Sequence, residues 1–93
     1  AKMISNLLIL YLQRYLHTPI DEHIQACIYK DLDRTFPNHP FFQSNMLGWQ
    51  SLKNVLTATA AKNPDIGYCQ GMNFIAGVLL LVMDEEVCPL FHR

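Results

Sequence analysis

Two short polar motifs hold the residues of this chain best suited to chemistry. One is Ile28-Tyr29-Lys30-Asp31-Leu32-Asp33-Arg34-Thr35, and the other is Gly67-Tyr68-Cys69-Gln70-Gly71-Met72-Asn73. The first offers a guanidinium and the second a carboxamide. These are poor groups from which to make a nucleophile. They suit a phosphoryl transfer, in which developing negative charge must be neutralised and a water aligned with little covalent help. Ile28, Asp31 and Arg34 recur at steps of three, so on a helix they lie near one another and the Asp31 carboxylate is placed to steady the Arg34 guanidinium. Gly67 and Gly71 bracket Tyr68-Cys69-Gln70, and glycine allows a backbone to approach a partner closely.

Each of these residues also has an ordinary use. Arg34 alone suits a solvated cation near a helix C-terminus. Gln70 alone suits a capping or surface position, and Tyr68 a core-edge aromatic. Cys69 would need a base to act as a nucleophile; none is close in sequence, so it reads as a packed thiol. His17, His23, His39 and His92 are not paired with cysteine at zinc-ligand spacing, so no metal site is expected. No glycine-rich loop ends in Lys-Ser or Lys-Thr, so the chain should not hold nucleotide phosphates by itself. Any phosphoryl transfer it serves therefore takes place on a nucleotide held by another protein.

The elements that must position these groups read as helices. Residues 3–16 place Ile4, Leu7, Leu8, Tyr11, Leu12 and Tyr15 at three- and four-residue steps. Thr18-Pro19-Ile20-Asp21 has a Thr cap, a Pro at the first position and an acid in the first turn of a second helix. That helix should bury Ile24, Cys27, Ile28 and Leu32 and carry Asp31 and Arg34. Residues 35–45 form a loop with two prolines, and Pro37 bars helix past Phe36. A third helix is expected over 46–62, with Trp49, Leu52, Val55, Leu56 and Thr59 inward, followed by a turn at 63–67. A fourth, over 70–83, is apolar nearly all round and is expected at the centre. Asp84 should cap a fifth, carrying Val87, Leu90 and Phe91. No strand alternation, repeat or low-complexity stretch interrupts this all-α pattern of about five helices.

The bulk composition agrees with one small globular domain. Of 93 residues, 51% are apolar types and 16% are charged, which is not the balance of a disordered chain. A net charge of -1 provides no basic field for nucleic acid or an anionic membrane. The longest apolar run, Phe74 to Met83, is about half of the roughly 20 residues a membrane span needs. Three widely spaced cysteines suit a reducing compartment better than a disulfide framework.

Ile28-x-x-Asp31-x-x-Arg34 and Tyr68-x-Gln70 resemble the two signature motifs of the TBC domain family, the GTPase-activating proteins for Rab GTPases. The likeness runs through Asp31-Leu32-Asp33-Arg34-Thr35-Phe36-Pro37 and through Asn63 to Asn73. The resemblance implies an irregular orthogonal helical array, with residues 1–93 corresponding to the N-terminal half of a TBC domain truncated at both ends. It also implies two fingers supplied in trans. Arg34 matches the arginine finger that neutralises the transferring phosphoryl group. Gln70 matches the glutamine finger that aligns the attacking water, with Asp31 supporting the arginine and Tyr68 positioning the glutamine loop. The implied partner is a Rab-family GTPase in its GTP-bound state, carrying the GTP and magnesium; the chain itself needs no cofactor. The implied setting is the cytoplasm, at endomembranes through the partner and without membrane insertion. The alternative is a TBC-type scaffold that binds a GTPase or another protein without catalysis.

Overall fold

The described residues form four α-helices, α1 Lys2–Tyr15, α2 Glu22–Leu32, α3 Leu47–Lys62 and α4 Met72–Met83, with a 3-10 turn at Pro40–Phe42 between α2 and α3. The computed structural model describes residues 2–43 and 47–83; in α1 it describes side chains at residue 7 and from residue 10 onward. No strand occurs among the described residues. The fifth helix expected from Asp84, with Val87, Leu90 and Phe91, lies outside them.

The central element is α3, against which α1, α2, α4 and the 3-10 turn all pack. Leu52 and Leu56 are buried on it, and so are Gly48, Ser51, Ala58 and Ala60, so more than one stripe of the helix is covered. The small residues let neighbouring helices approach. Each fully buried leucine contributes about 1.5–3 kcal/mol relative to an exposed one. From α1, Leu12 is buried, while Tyr11 and Tyr15 pack against the same core. Leu7, expected inward, is exposed, as is Leu10.

The second helix starts later than its Thr-Pro signal suggests. Asp21 is its cap, and the Asp21 carboxylate accepts a 2.7 Å hydrogen bond from the His23 backbone N–H. Ile20, just before it, packs against the core, which holds Pro19-Ile20 outside the helix and hands the capping role to the acid. Ile28, Asp31 and Leu32 are buried, whereas Ile24 and Cys27 are half-buried. The helix ends at Leu32, so Arg34 lies beyond it and not on its surface. A tighter turn keeps the spacing: Arg34 N–H donates to the Asp31 carbonyl at 3.1 Å and Thr35 N–H to the Leu32 carbonyl at 3.3 Å.

Phe36 then adopts a left-handed backbone, φ 48°, a conformation costing a bulky L-residue about 1–2 kcal/mol. Its ring packs tilted against Phe42 and edge-on against Phe74, each at 5.8 Å between centroids, which offsets that strain. The result is a sharp chain reversal immediately after Arg34-Thr35.

The fourth helix is not at the centre. Asn73, Gly77 and Leu80 face inward, while Phe74, Ile75, Val78, Leu79 and Val82 are exposed. Hydropathy all round a helix states what could be buried, and here only one face meets α2 and α3. Gly77 sets the approach. A Cβ there would stand 3.1 Å from both the Phe36 ring and the Thr35 methyl group.

Candidate functional site at the cleft between the two motifs

The second motif is aimed by the end of α3. Asn63 N–H bonds the Thr59 carbonyl at 3.0 Å, and the Asn63 carbonyl then accepts from Gly67 N–H at 2.8 Å. Gly67 takes φ 64°, a value glycine adopts without steric cost. A Cβ there would also come within 2.9 Å of Ile24 on α2. The left-handed turn therefore calls for glycine, while the close approach is to the movable end of the Ile24 side chain, and the turn brings Tyr68 onto α2.

There Tyr68 meets Asp31. The phenol donates to Oδ2 at 2.6 Å, and Arg34 Nη2 donates to Oδ1 in an ion pair. Asp31 is only 4% exposed, and a carboxylate so enclosed is tolerable because both oxygens have donors. Burial pushes its carboxyl pKa up, but the hydrogen bonds from Tyr68 and Arg34, aided by the charges of Arg34 and Lys30, outweigh it. The net direction is down, and Asp31 stays ionised. Burial, together with the hydrogen bond to Asp31 and its charge, pushes the Tyr68 hydroxyl well above its ordinary range, so it remains a donor.

Beyond Tyr68 the chain turns again. Gly71 has φ 106° and open space around it, so conformation, not crowding, calls for glycine at this position. The Gly71 carbonyl accepts from Phe74 N–H at 3.1 Å and α4 begins at Met72. Gln70 therefore stands in the turn before the helix, not on it, with its side chain exposed.

Arg34, Gln70, Asp31 and Tyr68 line one open cleft of about 150 Å³, together with Cys27 and Lys30. The guanidinium is half-exposed, at 52%, so it faces solvent while held from behind by a buried carboxylate. The cleft thus offers two cations against one carboxylate, with an amide beside them that can both donate and accept. It can receive an anionic group carried by another molecule. Cys69, expected as a packed thiol, is exposed instead, because the turn that seats Tyr68 leaves its neighbour outside. Among the described residues no group of three or more His, Cys, Asp or Glu side chains is arranged to hold a metal ion.

Sequence reasoning gave Cys27, Lys30, Thr35 and Asn73 no role in the site. Lys30 precedes Arg34 by four residues, a spacing that could have placed both on one side. Asn73 is the one amide at the start of an otherwise apolar helix, and a buried amide must find partners. Those partners are Thr35 Oγ1, which accepts from Nδ2 at 2.8 Å, and Gly71 N–H, which donates to Oδ1 at 3.1 Å.

By fold and site together, the chain is an all-helical domain whose polar cleft joins two motifs far apart in sequence. A profile of the Rab-GTPase-TBC domain matches residues 7–93, and the chain belongs to that family. It is similar to TBC1 domain family member 1 of Homo sapiens, with 49% identity over 63 residues, covering 67% of this chain and 5% of that protein. It is also similar to GTPase-activating protein GYP3 of Saccharomyces cerevisiae, with 51% identity over 65 residues, covering 63% of this chain and 10% of that protein. TBC1 domain family member 4 of Mus musculus is 51% identical over 63 residues, covering 67% of this chain and 5% of its own length. The chain thus spans 5–10% of the length of these relatives. No solved structure matches it.

Proposed function

We propose that the protein carrying this chain activates GTP hydrolysis by a Rab-family small GTPase, supplying Arg34 and Gln70 in trans. The observation that carries the reading is their shared cleft. A half-exposed guanidinium braced by Asp31 stands on the same opening as an exposed carboxamide next to the Tyr68 anchor. Membership of the Rab-GTPase-TBC domain family supports it, as does likeness to a relative named as a GTPase-activating protein.

In this mechanism the partner GTPase, in its GTP-bound state, brings GTP and magnesium. Phosphoryl transfer places growing charge on the γ-phosphate oxygens and the bridging oxygen. Arg34 neutralises that charge, and Gln70 aligns the attacking water through its amide. Asp31 and Tyr68 keep the two groups in place and touch no reacting atom. An arginine finger supplied in trans raises GTPase rates by about 10³- to 10⁵-fold, which corresponds to roughly 4–7 kcal/mol of barrier. The protein acts in the cytoplasm, in vesicle trafficking, reaching endomembranes through its partner. No helix among the described residues is long and apolar enough to cross a membrane.

The test is single-turnover GTP hydrolysis across a panel of GTP-loaded Rab proteins, with the full-length protein in excess. Stimulation of at least one, lost in Arg34→Ala and Gln70→Ala, is the expected result. GTP-dependent binding with no rate stimulation would replace this reading with a non-catalytic scaffold.

A further inference from the structure

We infer that Asn73 is a positioning residue, which locks the turn bearing Gln70 to the backbone of α2 beside Arg34. The inference rests on the proposed function for its catalytic consequence. Its structural half stands only on two buried hydrogen bonds and one partly buried one.

Asn73 is 1% exposed and Thr35 is fully buried. Gly71 N–H donates to Asn73 Oδ1 at 3.1 Å, Asn73 Nδ2 donates to Thr35 Oγ1 at 2.8 Å, and Thr35 Oγ1 donates to the Asp31 carbonyl at 2.7 Å. A backbone N–H can only donate, so the amide must turn its oxygen to Gly71. Its nitrogen then faces Thr35, whose single proton is left for the Asp31 carbonyl. Only this orientation satisfies all three contacts, so the relay has one direction and no alternative flip. Among the described residues no buried side-chain nitrogen or oxygen lacks a partner.

The relay matters because of where it ends. Gly71 directly follows Gln70, and Tyr68 precedes Gln70 by two residues. Tyr68 is tied to the Asp31 carboxylate, and Gly71 is tied through Asn73 and Thr35 to the Asp31 carbonyl. Gln70 is therefore suspended between two tethers to one residue, and that residue also holds Arg34. Gly77 lets α4 come close enough for the Asn73 amide to reach Thr35. Loss of the relay leaves Tyr68 as the remaining tether and lets the carboxamide swing away from the guanidinium.

The experiment uses the full-length protein with Thr35→Val, Thr35→Ser and Asn73→Ala. Saturating rate and half-saturating concentration are read with the Rab protein that the wild type stimulates best. Thr35→Val and Asn73→Ala should lower the saturating rate by about 10²-fold, the scale of a roughly 1 Å misplacement, with the half-saturating concentration unchanged. Thr35→Ser keeps the hydroxyl and should retain most of the rate. An unchanged saturating rate in Thr35→Val and Asn73→Ala overturns the inference. A shift in half-saturation alone overturns it too.

Amide hydrogen exchange of the free protein gives a readout that needs no GTPase. Thr35→Val should speed exchange at Gly71 by about tenfold or more, as expected for a released, partly buried hydrogen bond, while Leu56 in α3 stays protected. Unchanged Gly71 protection overturns the inference. Faster Gly71 exchange in a protein that stimulates no Rab overturns the proposed function and leaves the tether standing.

Discussion

The Tyr68 hydroxyl and the Asp31 carboxylate, 37 residues apart in sequence, are joined by a 2.6 Å hydrogen bond. This bond closes the loop between the two motifs, and its energetics can be measured directly. Tyr68→Phe keeps the ring and removes the donor, leaving one oxygen of a buried carboxylate without its partner. A hydrogen bond to a charged group contributes about 2 kcal/mol, so urea unfolding at neutral pH should show a loss of that size.

The same pair sets an acid dependence. The folded carboxyl of Asp31 lies below its unfolded value, which is about 3.9. The stability it contributes is therefore present above about pH 4 and is lost as pH falls through the folded value. Tyr68→Phe weakens the downward pull, so the stability gap between wild type and variant should shrink as pH is lowered from about 5 to about 2. Tyr68 has the opposite sign. Its raised pKa means its contribution is complete below about pH 10 and fades as pH rises beyond that. Denaturant titrations across pH check both limbs, and a gap that widens in acid would reverse the sign assigned to Asp31.

Arg34→Ala and Gln70→Ala should abolish GTPase activation while leaving the fold in place. Gln70 is exposed, so water replaces what it loses, whereas Arg34→Ala leaves Asp31 Oδ1 without its donor and should cost about 2 kcal/mol without unfolding the chain. The expected loss for Arg34→Ala is about 10³-fold or more in single-turnover rate, with circular dichroism unchanged. Arg34→Lys should restore little, since a point charge does not reproduce the planar fork of a guanidinium.

Gly48→Ala should destabilise the chain despite alanine's helix preference. That preference favours the substitution by about 1 kcal/mol. A Cβ at residue 48, however, would stand 2.3 Å from the Phe41 carbonyl oxygen and 2.4 Å from its ring. Backbone held in the 3-10 turn gives way less than a flexible side chain does, so the clash wins. Thermal unfolding should show a net loss of about 2 kcal/mol, within the range for overpacked sites.

The open face of α4 gives a fifth expectation. Phe74, Ile75, Val78, Leu79 and Val82 form an apolar strip, with Val82 79% exposed. A strip of this kind attracts hydrophobic dyes and promotes association. The isolated chain should bind such a dye, and Ile75→Glu with Val82→Lys should reduce the signal while changing stability by no more than about 0.5 kcal/mol each. Unchanged dye binding would show that the signal comes from another surface.

The sequence made the helices legible because apolar periodicity is local. The core positions Ile28, Leu32, Leu52 and Leu56 all fall on the expected inner faces. The Asp31–Arg34 spacing was also legible, since a turn of 3-10 type preserves the three-residue neighbourhood even after α2 has ended. Two readings failed for one physical reason. Hydropathy says that Leu7 and most of α4 could be buried, and not whether another surface reaches them.

By itself, then, the sequence determined the four helical segments found among the described residues, two polar motifs and the guanidinium and carboxamide they carry. Only the tertiary structure decided that Tyr68 takes the second oxygen of Asp31, and that Asn73 reaches Thr35 from 38 residues away. Such contacts depend on the left-handed turns at Phe36 and Gly67 and on how closely α4 settles over the first motif. Local propensity and spacing do not specify distances between segments. Packing on α3 does, and it is packing that turns an arginine and a glutamine into neighbours across one cleft.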